Sequence, residues 1–254
     1  MSLGLDDWLI KLKKEPFENS LAIYDIENEY PKNVKVYYNS DGFVLLWLIT
    51  KAPTVFIKGS EDSIMELLKE HVLSHYKEIH FDFVDRKQNN FIHKYFRILD
   101  ATELFLYYLE KNDFSPIEVE EPIKLESKHS VQIQEHWQYS NQITDPNYYT
   151  ERIKNGFFYG ITKNRNLVSY LGSLGELDNI VVLGMLFTKP EYRRKHFGIS
   201  CASRACSEIL KANRIPMCYA DTRNIASNRL WEKLGFKSKS ETYYFIHTLG
   251  LKEE

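Results

Sequence analysis

Long apolar runs are missing from this sequence: nowhere in its 254 residues do 18 apolar residues follow one another, so a membrane-spanning helix is not expected. The first residues, Met-Ser-Leu-Gly-Leu-Asp-Asp7, lack a basic segment followed by an apolar one, and a secretory leader is not expected either. Cysteine is scarce. Cys201, Cys206 and Cys218 are odd in number and sit among apolar neighbours, the pattern of core thiols in a reducing compartment and not of a disulfide framework. The 8 histidines lack the spacing of a metal site, so no metal is expected. A dominant charge is also missing. The formal net charge of −2 gives a polyanion such as nucleic acid no bulk attraction. The expectation is a soluble cytoplasmic protein that works without membrane or nucleic acid. Neither G-x-x-x-x-G-K-[ST] nor G-x-G-x-x-G occurs, which removes two familiar phosphate loops.

What is present is apolar residue in quantity, 43% of the chain, enough for one large core or two smaller ones. The most informative stretch is residues 179–212. Residues 179–188 form an apolar, β-branched run of strand length, and Ile199, Ala202, Cys206, Ile209 and Leu210 recur at helical spacing. Between them Pro190 ends the strand, and Arg193, Arg194, Lys195 and His196 precede Gly198, where a helix begins. A helix start has backbone N–H groups without partners and carries roughly +0.5 charge. With basic side chains beside it, this turn is suited to an anion.

The segment from Tyr192 to Gly198 resembles the pyrophosphate loop of the GNAT acyltransferase superfamily: Arg or Gln, two residues, Gly, one residue, then Gly or Ala. Arg193 and Gly198 fill the outer positions, and His196 stands at the usual middle glycine. Such a side chain is tolerable if φ at 196 stays negative. Downstream, Asn224-Ile-Ala-Ser-Asn-Arg-Leu-Trp-Glu-Lys-Leu-Gly-Phe236 resembles the family's later motif, with Trp231 at the usual tyrosine. Lys-Leu-Gly-Phe also reads simply as a helix stop at Gly235.

The resemblance implies an α+β protein with a mixed sheet that transfers an acyl group, most simply acetyl, from acetyl-coenzyme A to an amine. It implies that coenzyme A lies along the backbone of Leu186, Phe187 and Thr188. The diphosphate would rest on amides from Arg194 through Lys195, His196, Phe197 and Gly198 to Ile199, with Arg193 nearby, and Asn224 and Ser227 would border the pantetheine arm. The family's frequent proton donor is the tyrosine replaced by Trp231, whose indole can donate a hydrogen bond but not a proton. Tyr219, on an expected strand at 217–221, is the alternative donor. No acid lies within residues 180–188, so Glu176, in the turn before, is the candidate base; a solvated turn residue beside Gly175 is the other reading. No Cys or Ser has a base in a recognisable nucleophile arrangement, so direct attack of the amine in a ternary complex is expected. A coenzyme A-binding regulatory module without turnover is the alternative. The acceptor is expected to be a small amine or an amino terminus.

Residues 1–118 read as a degenerate GNAT-like half and 119–254 as the acetyltransferase half, joined by the Pro- and acid-rich 115–122. The order of matches, from Tyr30-Pro-Lys-Asn-Val-Lys-Val36 onward, resembles the tandem, glycine N-acyltransferase-like branch. In the first half, strands are expected at 33–38 and 42–50 around Asn39-Ser-Asp-Gly42, and at 54–58 and 78–84. Helices are expected near residues 8–14, at 60–75, 91–96 and 101–111. Leu106-Tyr-Tyr-Leu-Glu-Lys-Asn-Asp-Phe114 echoes residues 228–236, either as a relic of duplication or by chance. This half has no basic glycine loop, so a structural, substrate-wall or dimer-forming role is expected of it. In the second half a short strand is expected at 123–125, helices at 128–139 and 148–155, and strands at 157–162 and 167–172. Val131, Ile133, Glu135 and Trp137 give the first of these helices no clean face.

Overall fold

A computed structural model describes residues 4–136 and 143–252. The elements run α1 (Leu5–Leu12), α2 (Ser20–Asn28), β1 (Val34–Tyr38), β2 (Gly42–Trp47), β3 (Thr54–Gly59), α3 (Glu61–His71), β4 (Glu78–Val84), α4 (Arg86–Tyr95) and β5 (Phe96–Tyr108). They continue with β6 (Ile123–Lys124), α5 (Ser130–His136), α6 (Tyr148–Asn155), β7 (Tyr159–Lys163), β8 (Asn166–Glu176), β9 (Ile180–Thr188), α7 (Phe197–Lys211), β10 (Ile215–Asp221), α8 (Ile225–Lys233) and β11 (Lys237–Leu251). The architecture is α+β with mixed pairing.

Two compact units divide the chain, residues 1–105 with 240–254, and residues 106–239. The expected division at 118/119 falls inside the second unit. The reason is local: Ile117 N–H donates to Ser203 Oγ at 2.9 Å and Val119 N–H to Ser200 Oγ at 3.0 Å, which ties the connector to α7.

In the first unit β1, β2 and β3 pair antiparallel, β3 pairs parallel to β4, and β4 pairs antiparallel to β11. The Asn39 side chain accepts from the N–H groups of Asp41 and Gly42, closing the β1–β2 turn as its Asn-x-x-Gly sequence predicts. α3 starts where Ser60 accepts from Ser63 N–H, and α4 where Asp85 and Gln88 form a reciprocal capping box. Ile64, Leu67 and Leu68 of α3 and Phe91 and Ile92 of α4 meet Val44, Val55, Ile57 and Phe81 of the sheet in one core.

In the second unit the order is β10-β9-β8-β7-β6, with β9 and β10 parallel and the others antiparallel. Asn164 and Arg165, with φ of 51° and 65°, form the two-residue β7–β8 turn. Ile133, Tyr149 and Ile153 of α5 and α6 pack on Phe158, Leu167, Tyr170 and Met185. Each unit thus runs through antiparallel strands to a parallel pair joined by a helix, the duplicated plan expected of a tandem chain.

Several expectations need correction. Residues 101–111 are not a helix: β5 runs to Tyr108, and a turn of 3₁₀ helix follows at Lys111–Asp113. Leu104 and Leu106 are buried on either side of the half-buried Phe105, so sheet burial overrides the local helical preference. The echo between 106–114 and 228–236 is therefore one of letters, because the second copy is a helix end. The helix at 91–96 begins earlier, at Arg86, and α2 and β11 were not foreseen. The expected helix at 128–139 is described as 3₁₀ turn and α5 through His136; Trp137 and Tyr139 lie outside the described residues.

Candidate functional site

The β9–β10 ladder begins at Ile180 opposite Ile215 and ends at Leu183 opposite Cys218. Beyond it, residues 184–188 of β9 and 219–221 of β10 have no registered pairing, so the two parallel strands part company. On its other edge β9 stays paired, with Gly184 opposite Gly172 and Phe187 opposite Tyr170. One more residue lies between those pairs on β9 than on β8, and Met185 takes up the bulge with φ of 53°. The strand edge carrying Leu186, Phe187 and Thr188 therefore faces the opening with backbone groups that β10 does not engage. Tyr219 is the first β10 residue past the last pair.

The basic loop stands at the same end. Arg193, Arg194 and Lys195 are exposed, and Arg193 Nε donates to the Thr188 carbonyl at 3.2 Å, folding the loop back over the strand terminus. Arg194 and His196 are both left-handed, with φ of 60° and 62°. The expectation of negative φ at 196 is thus overturned: the turn itself demands the left-handed region, which is why glycine suits this position. His196 caps α7 without any side-chain hydrogen bond to the first turn, so nothing from the cap competes for the leading amides. Phe197 and Ile199 are buried and anchor that turn. A Cβ on Gly198 would come within 3.3 Å of Thr188 Oγ1 and 3.7 Å of Leu186 Cδ1, so the absent side chain keeps open the space between the loop and the parted strand. An exposed basic nest of backbone amides leading to a strand edge fits a diphosphate with a long polar arm.

The later helix is held together by bonds among its own predicted residues. Asn224 accepts from Ser227 N–H at 3.1 Å as the cap of α8. Trp231 is 2% exposed, donates its indole N–H to Ser227 Oγ at 3.1 Å, and meets Phe236 edge-on with centroids 4.9 Å apart. The two predicted residues Trp231 and Ser227 are thus brought together with each other. Asn228, which the sequence did not single out, donates to the carbonyls of Asp221 and Thr222 at 3.1 and 3.2 Å and pins α8 to the end of β10.

Glu176 lies elsewhere. It is the last residue of β8, not a turn residue, and stands opposite Val181 at the closed end of the β9–β10 pair. Its carboxylate accepts from Ser173 Oγ at 2.8 Å and lies 3.6 Å from the Arg214 guanidinium. At about 3.3 Å per residue, Glu176 is more than 10 Å from the bulge. A different titratable group is nearer. The His136 ring, at the end of α5, stacks on Phe187 with centroids 5.3 Å apart and planes 17° apart.

Cys201, Cys206 and Cys218 are free and buried, as their neighbours predicted. Burial pushes the Cys201 thiol up to about 12 and raises those of Cys206 and Cys218 as well, so all stay protonated. Among the described residues no helix is long and apolar enough to cross a membrane.

A strand pair that opens beside a basic loop and a helix start can be compared with known proteins. The model of the family described as GNAT acetyltransferase matches residues 15–245. The chain belongs to the GNAT acetyltransferase family.

Solved structures carry the same fold at low identity. A Drosophila protein is similar at 15% identity and a TM-score of 0.72, over 98% of this chain and 97% of its own. A GCN5-related N-acetyltransferase from Kribbella flavida is similar at 9% identity and a TM-score of 0.65, over 92% and 98%. A tandem GNAT protein from the clavulanic acid biosynthesis pathway is similar at 13% identity and a TM-score of 0.63, over 100% and 99%. No curated protein matches the chain. The tandem GNAT plan thus extends along the whole chain, and the opening beside the basic loop lies in its second unit.

Proposed function

We propose that this GNAT protein is an acetyl-coenzyme A-dependent N-acetyltransferase that transfers the acetyl group to an amine by direct attack in a ternary complex. The observation that carries the reading is the parting of β9 from β10 after Leu183 and Cys218, next to the Arg193–Ile199 loop. When bound, the thioester supplies an electrophilic acyl carbon. Backbone amides from Arg194 to Ile199, with Arg193, Arg194 and Lys195, hold the diphosphate, and the unpaired edge at Leu186–Thr188 orients the arm. Asn224 keeps its amide nitrogen as a donor for the arm, since its oxygen accepts from Ser227 N–H. No thiol competes as a nucleophile, because Cys218 is buried and protonated. Tyr219, the first β10 residue past the last pair with β9, is the candidate hydroxyl for the departing sulfur.

One observation favours a second reading, a coenzyme A-binding regulatory module: the Trp231 N–H, the donor the later motif offers a departing thiolate, is already bonded to Ser227. Calorimetry with acetyl-coenzyme A followed by thiol release over a panel of amines separates the two. Binding with amine-dependent release supports the enzyme, and binding without it supports the module. Absence of binding overturns both.

A further inference from the structure

We infer that His136 is the proton acceptor for the incoming amine, a role that rests on the N-acetyltransferase reading. The imidazole lies flat on Phe187, within the part of β9 that has left β10, and on the face that α5 and α6 cover. Its Nδ1 is shielded from solvent and has no hydrogen-bond partner among the described residues. A buried ring nitrogen without a partner is costly to leave so, and one explanation is that it awaits a ligand. Tyr170, whose ring centroid lies 5.4 Å from that of Phe187, carries a second buried polar atom, its hydroxyl, without a partner among the described residues. Two unsatisfied polar atoms against one strand residue of the opening mark a place where a polar group of the acceptor completes the structure. Glu176, by contrast, is held by Ser173 and Arg214 at the closed end.

The surroundings keep His136 in the form that accepts a proton. Burial lowers its pKa first and Lys189 second, while Glu135 on its own helix and Glu191 after β9 oppose them. At neutral pH the ring is uncharged. An acceptor ammonium gives one proton to the imidazole, and the freed lone pair forms the C–N bond as the C–S bond breaks with its electrons on sulfur. The second proton lost by nitrogen goes to that sulfur, and His136 then releases its own to water. Amide, free thiol and one proton are the products, and nothing is oxidised or reduced.

The test uses the full chain, acetyl-coenzyme A and whichever of a panel of primary amines (a diamine, a polyamine, free amino acids) gives the fastest thiol release. His136→Gln is expected to lower kcat/KM for the amine about 10²-fold and to leave the acetyl-coenzyme A Kd within about twofold. The limb of the wild-type profile that falls on acidification is expected to vanish with it. His136→Ala with added imidazole, expected to regain part of the lost rate, guards against a folding defect of the first variant. A His136→Gln enzyme with wild-type kcat/KM and an unchanged acid limb would overturn the role of His136 alone. Wild-type protein that binds acetyl-coenzyme A but shows no amine-dependent thiol release with any member of the panel would overturn the enzyme reading, and this role with it.

Discussion

Trp231 gives its indole N–H to Ser227, one helical turn earlier, at 3.1 Å. The bond lies inside α8 and the ring is buried, so packing is the role expected of Trp231. Trp231→Phe keeps the edge-on contact with Phe236 and is expected to change kcat by less than about threefold. Loss of the ring volume and hydrogen bond should lower stability by about 1–3 kcal/mol. Thiol-release kinetics and a denaturant midpoint, taken together, check this; a large drop in kcat at normal stability would restore a chemical role to the indole.

At His196 the backbone is left-handed, which costs a side-chain-bearing residue about 1–2 kcal/mol. His196→Gly is expected to be neutral or stabilising by up to about 1 kcal/mol with acetyl-coenzyme A affinity retained, since amides and not the imidazole carry the site. His196→Val, β-branched in the same conformation, is expected to destabilise by roughly 1–2 kcal/mol. Calorimetry and thermal unfolding of the pair decide it.

Gly198 leaves space against Thr188 Oγ1, where a Cβ would sit at 3.3 Å. Gly198→Val is expected to weaken acetyl-coenzyme A binding about tenfold or more while the far-ultraviolet spectrum stays native. Unchanged affinity in a titration would mean that the carrier does not pass this point.

His80 and His247 stack across β4 and β11 with centroids 4.2 Å apart. Burial, and then the neighbouring His247, hold His80 below its ordinary value, although Glu78 pulls the other way. The unfolded chain therefore binds more protons as pH falls below about 6.5, and the stability that neutral His80 contributes is lost between there and its lower folded value. Asp82, two residues on, acts oppositely: burial raises its carboxyl to about 7, so its contribution is lost as pH rises from about 4 to beyond 7. Asp82→Asn should thus gain on wild type by roughly 1–3 kcal/mol between pH 5 and pH 8, and His80→Gln should lose less than wild type on acidification. Denaturant midpoints at the two pH values measure both.

Gly235 has φ of 95°, and a Cβ there would meet the Asp113 carbonyl at 1.9 Å. Gly235→Ala should cost about 2–4 kcal/mol and is the substitution here most apt to prevent folding. A shift in the unfolding midpoint of less than about 1 kcal/mol would contradict it.

The parts of this protein legible in the sequence are those whose cause is local. Arg193 to Gly198 announce a basic helix start, Asn39 to Gly42 a turn, and Asn224 a cap, because each acts on atoms a few residues away. Residues 101–108 of β5 carry a helical pattern in the sequence because β10 and β11, the strands that pair with β5, lie far along the chain. Glu176 looked available only while its guanidinium partner, Arg214, was unknown. No periodicity matches His136 with Phe187, since α5 and β9 are distant in sequence and meet only through the tertiary fold. The left-handed turn at 196 was hidden for another reason: the backbone outvotes the residue's own preference there.

The placement of β11 has a consequence for biosynthesis. Its 240–251 portion belongs to the first compact unit, where it lies against β4, although all of residues 106–239 must be translated before it exists. The half that leaves the ribosome earliest must wait with one side of β4 unprotected until the later half has emerged, so chaperone contact during that interval should concentrate on β4.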